Sequence, residues 1–385
     1  MAGLRRISYL WKEADVHREY ATGVSLHSHT NQSKETLDFL ATLGNQFPVL
    51  RPIFNRCERR AREIYHTPMD YAAAYWTPPL TPKLAFDLET GQIANELGLM
   101  PLVSITDHDT IAAPMLLRTV ASARHIPVSV EWSAPFGGDQ SFHLGIHNLP
   151  SDSGAAWMKT FEEYTAHPDE KKLTEILAAL HALPNVLTVF NHPVWDLYLI
   201  GEDKARQRVQ DFLNANAGFI HAFELNGLRD WKENRLVKRL AQQWNKLLIS
   251  GGDRHGREPN ANVNLTGATS FTEFVHEIRY EDRSHVLFMP QYAQPWKHRI
   301  LESTLDAIRD YPDFPQGSRF WDERVYHPDR DGVMRPVREI WRGGEAPVWV
   351  SFIIKSVRLM GSSAVSGSLR LAWSESRERQ FALGD

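Results

Sequence analysis

Apolar and polar positions alternate along this chain in blocks. Short apolar runs with β-branched or aromatic character read as strands: Val24–Leu26, Leu102–Thr106, Val128–Trp132, Phe142–Ile146, Val186–Phe190, Phe219–Leu225 and Lys246–Ser250. Between them lie segments with helical spacing. Phe86–Leu99 is one, ending near Gly98; the others are Ile111–Arg124, Asp169–Leu183 (stopped by Pro184), Lys204–Asn214 and Asp230–Asn245. Strands that alternate with helices predict βαβ units and a parallel sheet, either open and doubly wound or closed into a barrel. The first βα turn lacks the glycine fingerprint of a dinucleotide fold, and GxxxxGK[ST] is absent.

Two stretches lie outside this rhythm. Residues 36–98 make a long connection between the first two strands, and long connections in compact domains are usually lids or carry structure of their own. From about 260 onward the pattern is mixed. Leu265–His298 could add a last helix and strand, and Val348–Val357 with Ser368–Trp373 reads as a hairpin across GSSAVSGS. The predicted division is therefore a core over 20–260, carrying the insertion, and an extension over 261–385.

Composition narrows the classes. The chain has 385 residues, a net charge of −4 and a pI near 6.5, with no basic stripe for long nucleic acid. Its only cysteine, Cys57, excludes an intrachain disulfide and fits a reducing, cytoplasmic setting. No signal-peptide pattern opens the chain, and no apolar run reaches the ~18–20 residues of a membrane span. Twelve tryptophans are more than such a core needs, so some could line a pocket or an interface.

The seventeen histidines matter through their positions. Residues two apart on a strand share a face, so His27 and His29, leaving the first strand, can grip one ion. Asp107, His108 and Asp109 leave the second strand, although an aspartate here could equally cap the next helix. Glu131 ends the third apolar strand and needs a partner there. His143 opens the fourth, with His147 close enough to serve instead. His192 leaves the fifth within Asn-His-Pro, which also reads as a turn. Glu224 and Asn226 end the sixth, Glu224 as an outer partner or a plain lining residue. Asp253 and His255 follow the seventh. In a parallel barrel all these ends meet on one face.

LHSHT, ITDHDT, the glutamate of VEWS, HLG, NHP and GDRH, in this order, resemble the PHP family of polymerase and histidinol phosphatase domains over roughly residues 20–260. The resemblance implies a distorted seven-stranded (β/α) barrel that binds two or three divalent ions and hydrolyses phosphoesters. It assigns His27, His29, Glu131 and Asp253 to a first metal. Glu131, His143 and His192 would take a second, and His108 and His255 a third. Family members supply an Asp or His five or six residues after the second histidine; here Lys34 and Glu35 stand there. Glu35 could ligate, whereas an inward Lys34 would replace an ion by an ammonium.

Nitrogen and oxygen donors suit Zn, Mn or Fe. The expected reaction is attack of a metal-bridging hydroxide on a small phosphorylated metabolite or nucleotide. Asp107 would orient His108 or handle a proton, and Arg254 or Arg257 would neutralise phosphate charge. The alternative is an amidohydrolase-type enzyme cleaving a C–N or C–O bond. Such barrels also begin with HxH but usually require a metal-bridging lysine, and none stands at a middle strand end. A non-catalytic module should show eroded ligands, which these are not. The oligomeric state stays open.

Overall fold

A computed structural model describes residues 5–37, 59, 62–63, 70–138, 141–195, 200–341 and 344–373. Residues 38–58 of the insertion, Cys57 included, lie outside the described residues.

Two five-stranded sheets form the frame. The first has the order β1 (Arg5–Tyr9), β12 (Ser284–Phe288), β11 (Asn262–Thr266), β2 (Thr22–Ser25), β5 (Met100–Val103). The second runs β10 (Leu247–Gly251), β9 (Ala222–Asn226), β8 (Leu187–Phe190), β7 (Ser141–Leu149), β6 (Val128–Pro135). Single parallel bridges, Ser28–Arg254 and His108–Glu131, join the sheets where their strands end.

The expected closed parallel barrel is therefore corrected in two respects. Continuous ladders do not close on themselves, and β7 runs antiparallel to both β6 and β8. The β6–β7 connection is too short for the helical crossover that parallel neighbours need. This reversal explains why His143 opens its strand: the start of an antiparallel strand lies at the same end as its neighbours' exits.

Helices cover the sheets where the 3.6-residue pattern places them. Glu170–His181 starts at Asp169, whose carboxylate accepts from the Lys172 N–H, and it buries Leu173, Ile176, Leu177 and Leu180. Trp231–Trp244 starts at Asp230 in the same way and ends at Asn245 in the left-handed region. On the helix Gly154–Ala166, Phe161 stacks on Trp132 of β6 at 4.4 Å. The predicted helix Ile111–Arg124 is broken: Ala112–Leu117 is helical, and a separate 3₁₀ turn follows at Ala121–Ala123. The intervening Thr119 and Val120 are β-branched and favour helix poorly.

A third, four-stranded sheet has the order β14 (Met334–Pro336), β13 (Val325–Pro328), β4 (Tyr75–Trp76), β3 (Glu35–Thr36). It joins the insertion to the extension. The hairpin expected beyond residue 347 is instead two helices, Val348–Met360 and Ser363–Trp373. The half-buried Val350, Ile354 and Val357 recur at i, i+4 and i+7, a helical spacing that three adjacent apolar residues at its start disguise. No helix among the described residues is long and apolar enough to cross a membrane.

Candidate metal centre

Backbone hydrogen bonds tie the strand ends to one another, within each sheet and between the two. His29 N–H donates to Arg254 O (2.8 Å), Thr106 to Ser28 (3.0 Å), Asp109 to Glu131 (2.9 Å) and Asn191 to His143 (3.0 Å). The side chains leaving these ends converge. His27 Nε2 lies 3.0 Å from His29 Nε2 and 2.9 Å from Glu131 Oε2. Asp253 Oδ1 is 3.7 Å from His27 Nε2 and 3.5 Å from His29 Nε2.

Glu131 faces two ways. Its Oε2 is 3.3 Å from both His29 Nε2 and His108 Nε2, and its Oε1 is 3.1 Å from His192 Nε2 and 3.5 Å from His143 Nδ1. Glu35 Oε2 is 3.3 Å from both His108 Nε2 and His255 Nε2. All nine residues expected as ligands, His27, His29, Glu35, His108, Glu131, His143, His192, Asp253 and His255, thus lie in one place. Four triplets among them hold donor atoms within 4.8 Å of one another: His27/Glu131/His192, His27/His29/Asp253, His29/His108/Glu131 and His29/Glu35/His255.

Two observations test whether these residues fit divalent ions. The donors are imidazole nitrogens and carboxylate oxygens, buried and facing one another rather than solvent, as hard-to-borderline cations require. Backbone strain also accumulates here. Asp109 (φ 54°), His192 (φ 26°) and Asp253 (φ 52°) are non-glycine residues at positive φ beside or within the cluster, a conformation that persists only where the surroundings enforce it. The residues fit.

Electrostatics shows what the cluster is without ions. Burial disfavours the charged form of His27, but the carboxylates of Glu131, Glu224 and Asp253 outweigh it and hold its pKa well above the ordinary imidazole value. His108 and His255 are likewise desolvated, yet Glu35 above all raises both to about 9. Burial would raise Glu131, and the neighbouring His27, His108 and His143 pull it well below the usual carboxylate range. His143, dominated by desolvation, falls to about 4. Protons on histidines thus neutralise a set of buried carboxylates, the charge that cations would replace.

The floor of the cluster is sealed and its mouth is not. Side chains of His27, His29 and Glu131 are at most 1% exposed, whereas His108, His143 and His255 are 12–19% exposed. Two indoles border that mouth. Trp195 stacks on His143 at 5.4 Å, and Trp76 lies 5.8 Å from the His255 ring. Trp76 pairs directly with Glu35 across β3 and β4, so the accessory sheet presents both on one face.

Several expectations need correction. Arg254 is buried; its Nε donates to Glu89 Oε1 at 2.9 Å and its Nη2 to Ala85 O, so its guanidinium serves the packing of the helix Pro82–Gln92. Arg257 is exposed. Asp107 does not hydrogen-bond to His108. It accepts from the backbone N–H and the Oγ1 (2.8 Å) of Thr30, which clamps the first strand exit, and burial raises its pKa to about 6. Lys34 points outward, 5.3 Å over the Tyr75 ring, so no ammonium replaces a cation. His147 turns to Ser104 Oγ (2.8 Å), leaving His143 at the cluster.

Other contributors were left open in the sequence: Glu224 as an outer partner or a lining residue, Asn226 as a strand-end residue and Asn191 as a turn residue. Glu224 Oε2 accepts from His27 Nδ1 at 2.6 Å, and Asn226 Nδ2 links Glu224 Oε1 (2.7 Å) to Asp253 Oδ2 (3.0 Å). A Cβ on Gly251 would lie 2.0 Å from the Glu224 carboxyl carbon, so only glycine leaves room for that carboxylate. Asn191, read as a turn residue, donates to Glu131 Oε1 at 3.0 Å. Period-2 placement at the end of β9 was the available signal for Glu224 and Asn226; Asn191 had only its place beside His192.

No family model matches the chain, and no curated protein is similar to it. Among solved structures it is similar to an amidohydrolase from Chromobacterium violaceum with bound sulfate and no metal: 16% identity, 47% of this chain and 84% of that one, TM-score 0.33. It is also similar to a protein described as a metal-dependent phosphoesterase from Bifidobacterium adolescentis, with 16% identity, 52% and 91% coverage and a TM-score of 0.32. A third is PsfC from Pseudomonas syringae, with 13% identity, 58% and 88% coverage and a TM-score of 0.37. Likenesses this distant carry no weight for the chemistry, which has to be read from the cluster.

Proposed function

We propose that the chain is a metal-dependent hydrolase of PHP type, its strand ends disposed as in the distorted barrel of that family, that cleaves a phosphoester of a small substrate. The observation that carries this reading is Glu131. One carboxylate oxygen faces His27, His29 and His108 while the other faces His143 and His192, the arrangement of a residue shared by neighbouring ions. Glu35 extends the cluster toward His108 and His255 and offers the ligand of a third position.

Divalent ions held there would supply Lewis acidity to a water and to phosphoryl oxygens, and positive charge against the substrate. The protein's own contribution is placement. Glu224 holds His27 with Nε2 toward the cluster, because its carboxylate accepts from Nδ1. Asp107 fixes Thr30, and through it the His27–His29 exit. The sealed floor keeps bulk water away, and the half-open His108, His143 and His255 leave one approach for substrate.

The amidohydrolase-type alternative would call for a metal-bridging lysine. Among the described residues no lysine is buried, and Lys34 turns away from the cluster onto the Tyr75 ring. The test is elemental analysis of protein purified without chelator, wild type beside His27→Ala, with hydrolysis of an aryl phosphate in added Mn or Zn. Two or three ions per chain, reduced in the variant together with phosphatase activity, support the reading. Full metal without phosphatase activity moves the reaction to another bond, and no metal after reconstitution sinks it.

A further inference from the structure

The loop after β9 holds a partly buried arginine, Arg229, unlike the buried arginines of the molecule. Arg208, Arg254, Arg299 and Arg324 each donate hydrogen bonds to a carbonyl or carboxylate oxygen. The guanidinium of Arg229 has no hydrogen-bond partner among the described residues, and its Nε is shut away from solvent. Its approaches to acidic groups, Nη2 to Asp253 Oδ2 and Nε to Glu233 Oε1, are both 3.9 Å, too long for hydrogen bonds. A buried Nε–H held without an acceptor next to a polar cluster is costly unless something else accepts from it.

The loop that carries Arg229 is firmly held, so the guanidinium is not a loosely placed surface group. Gly227 N–H donates to Gly251 O (2.6 Å), Arg229 N–H donates to Asn226 Oδ1 (3.2 Å), and Arg229 O accepts from Arg299 Nη2 (2.9 Å). Trp296 Nε1 donates to Leu228 O at 3.1 Å. The side chain itself is 28% exposed, so a ligand can reach it.

We infer that Arg229 is a substrate-binding residue that receives the phosphoryl group, presenting its free donors to phosphate oxygens at the edge of the cluster. The inference rests on the metal reading in one respect. With Asp253 committed to an ion, its charge no longer balances Arg229, and the guanidinium is left as a cation matched in shape to a tetrahedral oxyanion. It also fills the vacancy left by Arg254, which the sequence had marked for this task and which the core consumes.

The test is binding of inorganic phosphate to metal-loaded protein by calorimetry, for wild type, Arg229→Gln and Arg229→Lys, with metal content measured on the same samples. The expected result is a loss of roughly 10- to 100-fold in phosphate affinity for Arg229→Gln with metal content unchanged. Arg229→Lys should fall between, because an ammonium keeps the charge but not the fork. Should Arg229→Gln fail to fold, Arg229→Lys decides: affinity equal to wild type overturns the assignment. Unchanged phosphate affinity in Arg229→Gln overturns it, as does no phosphate binding by the loaded wild type. Loss of metal together with phosphate also overturns it, since Arg229 would then be the counter-charge of Asp253. Arg229-dependent phosphate binding without hydrolysis of any phosphoester leaves this inference standing and removes the proposed reaction. Phosphoester hydrolysis without dependence of phosphate affinity on Arg229 does the reverse.

Discussion

The strand-end frame and the accessory sheet meet at one cluster but are specified in different ways. In the frame, each ligand lies in or beside an apolar run, at its exit or, for His143, at its opening, and the run itself places the ligand. In the accessory sheet, β3 and β4 are two residues each, and β4 pairs with β13 some 250 positions away. The frame contributes eight of the nine candidate ligands; the accessory sheet contributes Glu35 and the indole of Trp76. A site can therefore have a floor written locally and a mouth written by distant pairing.

The hardest way to break this comparison is to remove the group on which the frame converges. Glu131→Gln keeps the volume of the side chain and removes its charge from between the two sets of histidines. Outer partners of metal ligands already cost ~10- to 100-fold in affinity when removed, so loss of a shared ligand should exceed 100-fold in metal affinity and in any hydrolysis. Equilibrium dialysis followed by elemental analysis checks it. Retention of all ions by the variant would mean that Glu131 is a core carboxylate neutralised by histidines.

Proton competition sharpens the same point. Without ions, Glu35 in opposition to burial holds His108 and His255 at about 9. Below that pH both are protonated and must release a proton to ligate. Apparent metal affinity should therefore rise with pH, roughly tenfold per unit for each proton displaced, and level off above about 9. Competition titrations at three pH values, with the proton release recorded in two buffers, read the slope directly. A flat profile would show that these two histidines do not ligate.

Glu224 tests how far the frame extends beyond its ligands. Glu224→Ala removes the acceptor for His27 Nδ1–H and frees Asn226 from one of its two carboxylates. The expected loss is ~10- to 100-fold in metal affinity, with a smaller loss for Glu224→Gln, whose amide oxygen can still accept. Thermal melts of the metal-free proteins separate this from plain destabilisation, because the affinity loss should remain in samples that are fully folded.

How much of this was legible follows from the same contrast. All seven strands read from apolar runs exist, and eight ligand positions could be marked because a strand end needs only its own few residues. Closure and direction were not legible: βα alternation predicts parallel neighbours, and only the short β6–β7 connection betrays the antiparallel turn. β1 and the helix Gly154–Ala166 went unread, the first because Arg5–Tyr9 mixes charge with apolar residues, the second because it follows a Pro- and Ser-rich turn without a strong stripe. Arg254 misled because its motif suggested the site while its side chain answers a buried carboxylate, Glu89, that no local pattern announces. Arg229 lacked any motif, and only its missing hydrogen bonds draw attention to it.

The smallest effect should come from the accessory sheet, and its smallness is the point. Tyr75 and Tyr326 stack at 4.8 Å on the face opposite Trp76 and Glu35, in register across β4 and β13. Tyr326→Ala removes an aromatic pair worth ~0.5–1.5 kcal/mol beyond its buried area, and it leaves every strand-end ligand in place. Amide exchange should quicken in β3, β4 and β13 by about the factor that energy implies, while β9 and β10 stay unchanged. Metal bound to the floor ligands His27, His29 and Asp253 should be retained, and only the ion beside Glu35 should weaken, since Glu35 alone among the ligands is carried by this sheet. Uniform loss of all ions would show that mouth and floor form one cooperative unit after all, and that the accessory sheet, despite its two-residue strands, is as much a part of the frame as β2.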